Sequence, residues 1–387
     1  MRRVLVLSAV LLCAGCGGSS SHPAITATPT TGLTDAPLRV GVSGADDRAV
    51  VRASTVDADG QRWTSTTRVA DLRRDRTRPL WTLRHGQDFF LAPPGGFVVR
   101  LDLVDGGRSV AHATISRRWT APDVRHAPVR HGLYGEVFDP PGSGRRAAAL
   151  VIGGSDGGLT TRGIAGLLAS HGYPALALAY FKEPGLPTTL KDIPLEYFER
   201  ALERLRARPD VDPSKVVVVG VSRGGEAALL IGATYPRLVH GVVALVPSNV
   251  VNPALDGRSA AWTLRGRPVP QIRVEDFGDP DPVRTPEAVI RVERIAGPVL
   301  TASAGVDALW PSYDYAEAVH QRLRGHHFGY PHPDLRFEDA GHGVGAAVPY
   351  MPTATDRDLG GSAAADEAGK AALWPRILDF MRGLRGD

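Results

Sequence analysis

The chain has 387 residues, with 45 Lys and Arg against 41 Asp and Glu, a net charge of +4. Only four of those cations are lysines and no Lys/Arg run concentrates the charge, so no nucleic-acid site is expected. Both cysteines, Cys13 and Cys16, lie at the start, leaving the rest without a disulfide, a cysteine nucleophile or a cysteine-ligated zinc.

Arg2 and Arg3 open the chain and Val4 to Leu12 follow as an apolar stretch too short to span a bilayer permanently. Cys13-Ala-Gly-Cys16 and then Gly17-Gly-Ser-Ser-Ser21 resemble a bacterial lipoprotein signal, although Cys13 stands where such signals usually carry Leu. The resemblance implies that residues 1–16 are a signal peptide ending in a lipidated Cys16. It also implies export and anchoring to the outer face of the cell membrane. Residues 17–32 are rich in Ser, Thr, Pro and Ala and read as a flexible linker.

Residues 33–120 read as a small all-β, immunoglobulin-like sandwich. Leu38–Val42, Val50–Val56, Phe97–Val104 and Val110–Ile115 alternate or carry β-branched residues, and Asp57-Ala-Asp-Gly60 and Asp105-Gly-Gly107 mark turns between them. Residues 121–387 read as an α/β domain. Strands are expected at 147–152, 174–179, 215–219, 241–246, 298–303 and 334–338, with helices between them at 163–170, 194–207 and 226–234 and a last helix at 369–383. Such alternation predicts a mostly parallel sheet with helices on both faces. Residues 248–292, rich in Pro, Arg and Asp, break the rhythm and are expected to lie over the C-terminal edge of the sheet.

Gly220-Val-Ser-Arg-Gly224 follows the Val216–Val219 run and precedes a helix-forming stretch. That context turns a serine into an exposed nucleophile, with glycine two residues to either side because the turn leaves no room for side chains. A serine hydroxyl needs a histidine to take its proton and a carboxylate to hold that histidine. Asp307 follows the strand at 298–303 and His342 follows the strand at 334–338, in the chain order Ser222…Asp307…His342. Asp314 is the rival acid, expected in the next helix, and Asp307 has a competing role as a helix cap. His326, His327, His332 and Asp334 are close in sequence, but their spacing matches no metal-binding motif and no metal is expected.

A second match, Gly153-Gly-Ser-Asp-Gly157, follows the first strand of the α/β domain, with no helix directly after it. A loop in that place supplies an oxyanion-hole N–H in the hydrolase fold, the other coming from the residue after the nucleophile. The backbone N–H groups of Arg223 and of Ser155 or Gly154 are therefore the expected oxyanion donors. Arg223 is also expected to pair with Glu226 along the helix.

Beyond these motifs, Leu167 to Phe181, Gly185-Leu-Pro187 and Pro194-Leu-Glu-Tyr-Phe198 resemble the acyl-CoA thioesterase / bile acid-CoA:amino acid N-acyltransferase family. The resemblance covers most of residues 33–384, loosely in the sandwich and closely in the α/β-hydrolase domain. It implies hydrolysis of an acyl thioester or ester through an acyl-enzyme on a Ser-His-Asp triad, with no cofactor. In that family a serine elbow accompanies hydrolysis and a cysteine accompanies acyl transfer. Arg223 stands where the family often has an apolar residue. An acyltransferase using an amine or alcohol acceptor, and a non-catalytic exported binding lipoprotein, are the competing readings.

Overall fold

A computed structural model describes residues 22–86, 89–353 and 357–384. Cys13 and Cys16 lie outside the described residues. The N-terminal part contains β1 (Ala24–Thr28), β2 (Thr31–Leu33), β3 (Arg39–Ser43), β4 (Val50–Val56) and β5 (Arg62–Arg68). Short helices α1 (Val69–Leu72) and α2 (Arg78–Trp81) precede β6 (Phe97–Asp105) and β7 (Arg108–Arg118). β1 and β3 form a two-stranded sheet and β2-β7-β6-β4-β5 a five-stranded one. Their inner faces share Ile25, Val40, Val51, Leu101 and Ile115 in one core.

The flexible-linker reading of residues 17–32 needs correcting from Ala24 onward. β1 pairs with β3 from Ala24↔Ser43 to Thr28↔Arg39, and β2 runs parallel to β7. Ile25 and Ala27 point inward while Thr26 and Thr28 point out, a period of two that the Thr- and Pro-rich composition obscures. β5 was also not expected. Its inward positions are Trp63, Ser65 and Thr67, so only one of three is apolar.

The second part is built on an eight-stranded sheet. Its strands are β8 (Arg125–Val129), β9 (Tyr134–Asp139), β10 (Arg146–Ile152), β11 (Ala175–Ala179), β13 (Val211–Val221), β14 (Val242–Leu245), β17 (Val299–Ala304) and β18 (Asp334–Phe337). β12 (Ile193–Pro194), β15 (Trp262–Leu264) and β16 (Arg267–Pro268) make a separate small sheet. The helices are α3 (Arg162–Ser170), α4 (Leu195–Arg206), α5 (Arg223–Thr234), α6 (Ser312–Gly325) and α7 (Ala363–Gly383). The order in the large sheet is β18-β17-β14-β13-β10-β11-β9-β8, parallel except at β8 and β9. This is the α/β-hydrolase architecture. Helices cover both faces, so β11, β14 and β17 are buried along their whole length and read as unbroken apolar or small-residue runs.

Chain order reverses between β10 and β13: β11 lies on one side of β10, and all later strands lie beyond β13. Open α/β sheets bind ligands at such a switch point, beyond the C-terminal strand ends. The insertion at 248–292 is held there through β15, which pairs with β12, and three single-turn 3-10 helices.

The two parts share a core. The cluster that contains Ile25 and Val99 also contains Leu167 of α3 and Leu373 and Met381 of α7. Asp35 Oδ2 sits 2.6 Å from His171 Nε2 and accepts from Trp374 Nε1 at 2.7 Å, tying the β2–β3 turn to both helices.

Candidate active site

The valine run of β13 delivers Ser222 into a sharp turn before α5, and the turn gives Ser222 φ 58° and ψ −120°. A non-glycine residue at such φ stores roughly 1–3 kcal/mol of strain and persists only where its surroundings fix it. Here Ser222 N donates to Leu245 O at 2.8 Å, while Ser222 O accepts from Gly225 N at 2.7 Å and Glu226 N at 3.0 Å. A Cβ on Gly220 would collide with the carbonyl of Gly224, and one on Gly224 with the carbonyl of Gly153. The two glycines therefore let the elbow close on itself and let α5 approach β10.

Asp307 lies just beyond β17, with its side chain 1% exposed. Its Oδ2 is 2.8 Å from His342 Nδ1. Its Oδ1 accepts from Leu309 N at 3.0 Å and Trp310 N at 3.3 Å. One carboxylate thus holds the histidine with one oxygen and the following loop with the other; the expected helix cap is not formed, because α6 begins only at Ser312, behind Pro311. Asp314 is exposed in the first turn of α6, away from this pair.

His342 opens a 3-10 turn, His342–Ala346, after β18. A Cβ on Gly345 of this turn would collide with Val246 and lie 3.4 Å from Val221 Cγ1, so the turn packs against the residue that precedes Ser222. His342 Nε2 is buried and has no hydrogen-bond partner among the described residues. With Nδ1 committed to Asp307, Nε2 is the nitrogen free to exchange a proton. The Trp310 ring meets the imidazole edge-on at 6.0 Å and donates its Nε1–H to Val246 O at 3.0 Å.

The Gly153–Gly157 loop lies against the elbow: a Cβ on Gly154 would be 3.1 Å from Ser222 Cβ. No helix follows directly, since α3 begins at Arg162. Tyr180 Oη donates to Gly153 O at 2.7 Å and approaches Gly154 O at 3.3 Å. In a trans peptide the N–H points opposite to the carbonyl. Two carbonyls turned toward Tyr180 thus turn the N–H groups of Gly154 and Ser155 the other way. Burial pushes the Tyr180 hydroxyl far up, so it remains a neutral donor. Arg223 N–H is the first of α5 and, like any first-turn N–H, has no intrahelical acceptor.

Arg223 Nη1 pairs with Glu226 Oε2 at 3.2 Å, as expected from their spacing. The pair is fully enclosed by the insertion. Arg223 Nη2 donates to the carbonyls of Asn252 and Pro253, Asn252 Nδ2 donates to Glu226 Oε2 at 2.9 Å, and Trp262 Nε1 donates to Glu226 Oε1 at 2.8 Å. Burial raises the Glu226 carboxyl, and Arg223 opposes the rise.

His332 Nδ1 is 3.1 Å from His320 Nδ1, and His320 Nε2 is 2.7 Å from Thr301 Oγ1, which donates to Asp334. His326 caps the end of α6 and His327 follows it. None of these reaches the Asp307–His342 pair, and no group of three or more His, Cys, Asp or Glu residues that could hold a metal ion gathers among the described residues.

Two residues near the site escaped sequence reasoning. Asp366 of α7 accepts from Gly341 N at 2.7 Å, and a Cβ on Gly343 would strike its other oxygen, so one buried carboxylate straddles His342. Burial pushes its carboxyl up to about 6. Tyr180 is the other. An aromatic just after a strand gives no sign of which carbonyls it reaches.

Residues 193–384 match the family model "BAAT / Acyl-CoA thioester hydrolase C terminal". Acyl-coenzyme A thioesterase 6 of Mus musculus is 32% identical over 310 residues, 74% of this chain and 73% of that protein. Acyl-coenzyme A thioesterase 1 of Mus musculus is 32% identical over 275 residues, and the chain spans 63% of its length and matches over 66% of its own. The Peroxisomal succinyl-coenzyme A thioesterase of Mus musculus is 28% identical over 309 residues, 74% of this chain and 72% of that protein.

Proposed function

This chain belongs to the BAAT / acyl-CoA thioester hydrolase family, a hydrolase of thioester or ester bonds, and we propose that it works through an acyl-enzyme formed on Ser222. The observation that carries the proposal is the His342 imidazole, fixed by Asp307 through Nδ1 and left with a buried, unpartnered Nε2.

In the first half-reaction Ser222 Oγ attacks the acyl carbonyl while His342 Nε2 takes the hydroxyl proton. Asp307 stabilises the imidazolium that forms and keeps the proton on Nδ1. The developing oxyanion is received by the N–H of Arg223 and by that of Ser155 or Gly154. Collapse expels the leaving group, which takes the proton from His342 Nε2 and departs as thiol or alcohol, leaving the imidazole neutral. Water then attacks the acyl-serine as His342 Nε2 accepts its proton, and that proton passes to Ser222 Oγ as the acyl–oxygen bond breaks and the carboxylic acid leaves.

The substrate proposed is a small-molecule acyl thioester or ester, as the relatives' names suggest. The Cys13–Cys16 signature supports a membrane-anchored enzyme on the outer face of the cell membrane, lipidated at Cys16. A compartment outside the cytoplasm favours bond type, rather than coenzyme A itself, as the level at which to state specificity.

Fluorophosphonate labelling followed by a thioester and ester panel tests the reaction. Wild-type protein should label once, and Ser222→Ala should abolish label and acyl-enzyme alike. Label on Ser155, with an active Ser222→Ala protein, would overturn the assignment. Cys16→Ser should release the protein from a membrane fraction washed at high salt, and salt-resistant retention of that variant would refute the anchor.

A further inference from the structure

We infer that the outer face of the five-stranded sheet is a docking surface for an anionic lipid bilayer. Outward positions on adjacent strands place Arg52 beside Thr66 and Asp102, Val56 beside Arg62, and Val98 beside Ser116. Arg52, Arg62, Arg100 and Arg118 are all exposed here, and the facing acid on these strands is Asp102, paired with Arg100 at 3.0 Å. The β4–β5 turn adds exposed Asp59. The face therefore keeps an excess of positive charge carried by planar guanidinium groups suited to phosphate.

Apolar side chains stand among these cations. Val56 is 47% exposed and Val98 54%, and Phe89 and Leu91 on the neighbouring loop are 53% and 46% exposed. Ala58 N donates to Leu91 O at 2.7 Å, which sets the loop beside the β4–β5 turn, and Thr55 Oγ1 donates to Val98 O at 2.8 Å. A shallow depression of about 510 Å³ opens among Val56, Val98, Arg62, Arg100 and Arg118. Apolar groups that reach the headgroup boundary, ringed by arginines, are the composition of a peripheral membrane surface. A monomer rarely leaves such a cluster exposed without a use.

The chain's own start favours a bilayer over another occupant. Eight residue steps separate Cys16 from Ala24, a reach of at most about 28 Å. β1 runs from Ala24 to Thr28, a rise of roughly 13 Å. It ends beside Thr30, whose carbonyl accepts from Ser116 N at the edge of this face. A lipid on Cys16 thus holds the sandwich within reach of the membrane. That reach rests on the lipoprotein proposal; the charge and exposure of the face do not.

The test uses the full chain carrying Cys16→Ser, so that no acyl chain contributes, with vesicles of phosphatidylcholine alone or mixed with phosphatidylglycerol. The parent should sediment with the anionic vesicles and release at high salt. Arg62→Ser, Arg100→Ser and Arg118→Ser together should weaken it about 100-fold, at about fivefold for each arginine. Arg2 and Arg3 are common to both proteins, so the difference reads the face alone. Leu91→Ser with Val98→Ser should weaken binding several-fold at unchanged charge, and thermal melting shows whether each variant folds. Turnover of a soluble thioester should be unchanged throughout, which separates failure of this surface from failure of the Ser222 reaction. Equal binding by parent and triple variant, or binding independent of phosphatidylglycerol, overturns the proposal. A concentration-dependent dimer abolished by the same three substitutions, without vesicle binding, overturns it in favour of a second copy of the chain.

Discussion

At the scale of single residues, Asp307 divides its work between two oxygens, and that division predicts how its loss behaves. Asp307→Asn keeps a carbonyl oxygen for the Leu309 and Trp310 amides, so the loop should survive. The amide nitrogen then faces His342 Nδ1 and favours the wrong tautomer. Turnover should fall by about 10²–10⁴ with an unchanged circular dichroism spectrum. Asp314→Asn, on the exposed face of α6, should leave turnover within twofold or so. A large loss from Asp314→Asn with a near-silent Asp307→Asn would move the acid to α6.

Asp366 makes a different prediction, because its burial opposes charge. The native carboxyl, at about 6, holds its proton to higher pH than the same group in an unfolded chain. Between roughly pH 4 and 6 the native state therefore binds more protons, and stability declines as pH rises through that window. The decline is on the order of 3 kcal/mol. Asp366→Asn keeps the acceptor for Gly341 N and removes the titration. Its melting temperature should hold flatter across that window than the parent's and lie above it at pH 7. Asp366→Ala removes the acceptor, loosens the His342 turn and should lower turnover about tenfold. A difference in melting temperature between parent and Asp366→Asn that stays constant from pH 4 to 6 would refute the buried titration.

At the scale of elements, most of the candidate site was legible because each proposed catalytic group lies in the turn that follows a strand. A β-branched run ending in Gly-x-Ser-x-Gly specifies an elbow locally, and Asp307 and His342 follow their strands within a few residues. Asp366 was hidden for the opposite reason. It reaches His342 from α7, whose Ala-rich first turn shows little amphipathic pattern, so the helix was expected only from residue 369. Its actual start is fixed by Ser362, which accepts from Ala365 N at 3.2 Å. β5 escaped notice because Ser65 and Thr67 fill inward positions where an apolar alternation would be the signal, and β1 because its Ile25 and Ala27 alternation is short and set in a Thr- and Pro-rich stretch. Tyr180 shows what an element end adds. Its hydroxyl orients the peptides that follow β10, so Tyr180→Phe should release the oxyanion loop without changing the nucleophile. We expect kcat to fall about tenfold or more, with fluorophosphonate labelling of Ser222 slowed but still complete. An unchanged kcat would mean that packing alone holds the loop.

For the whole molecule, the sandwich and the α/β body are joined by more than a linker. Their apolar residues form one cluster, and Asp35 binds both α3 and α7 across sequence separations of 136 and 339 residues. A shared core predicts a single cooperative unfolding transition, because neither part can expose its half of the interface without loss to the other. Asp35→Ala leaves the buried Trp374 indole N–H without its acceptor, at a cost of about 1–3 kcal/mol. For a chain of this size the melting temperature should drop by roughly 2–8 °C while the transition stays single. Calorimetry of parent and variant decides the matter. Two resolved transitions in the parent, with Asp35→Ala moving only one of them, would show the sandwich to be an independent module. One transition that moves as a whole would mean that the sandwich stabilises the α7 helix, and through Asp366 the turn that carries His342.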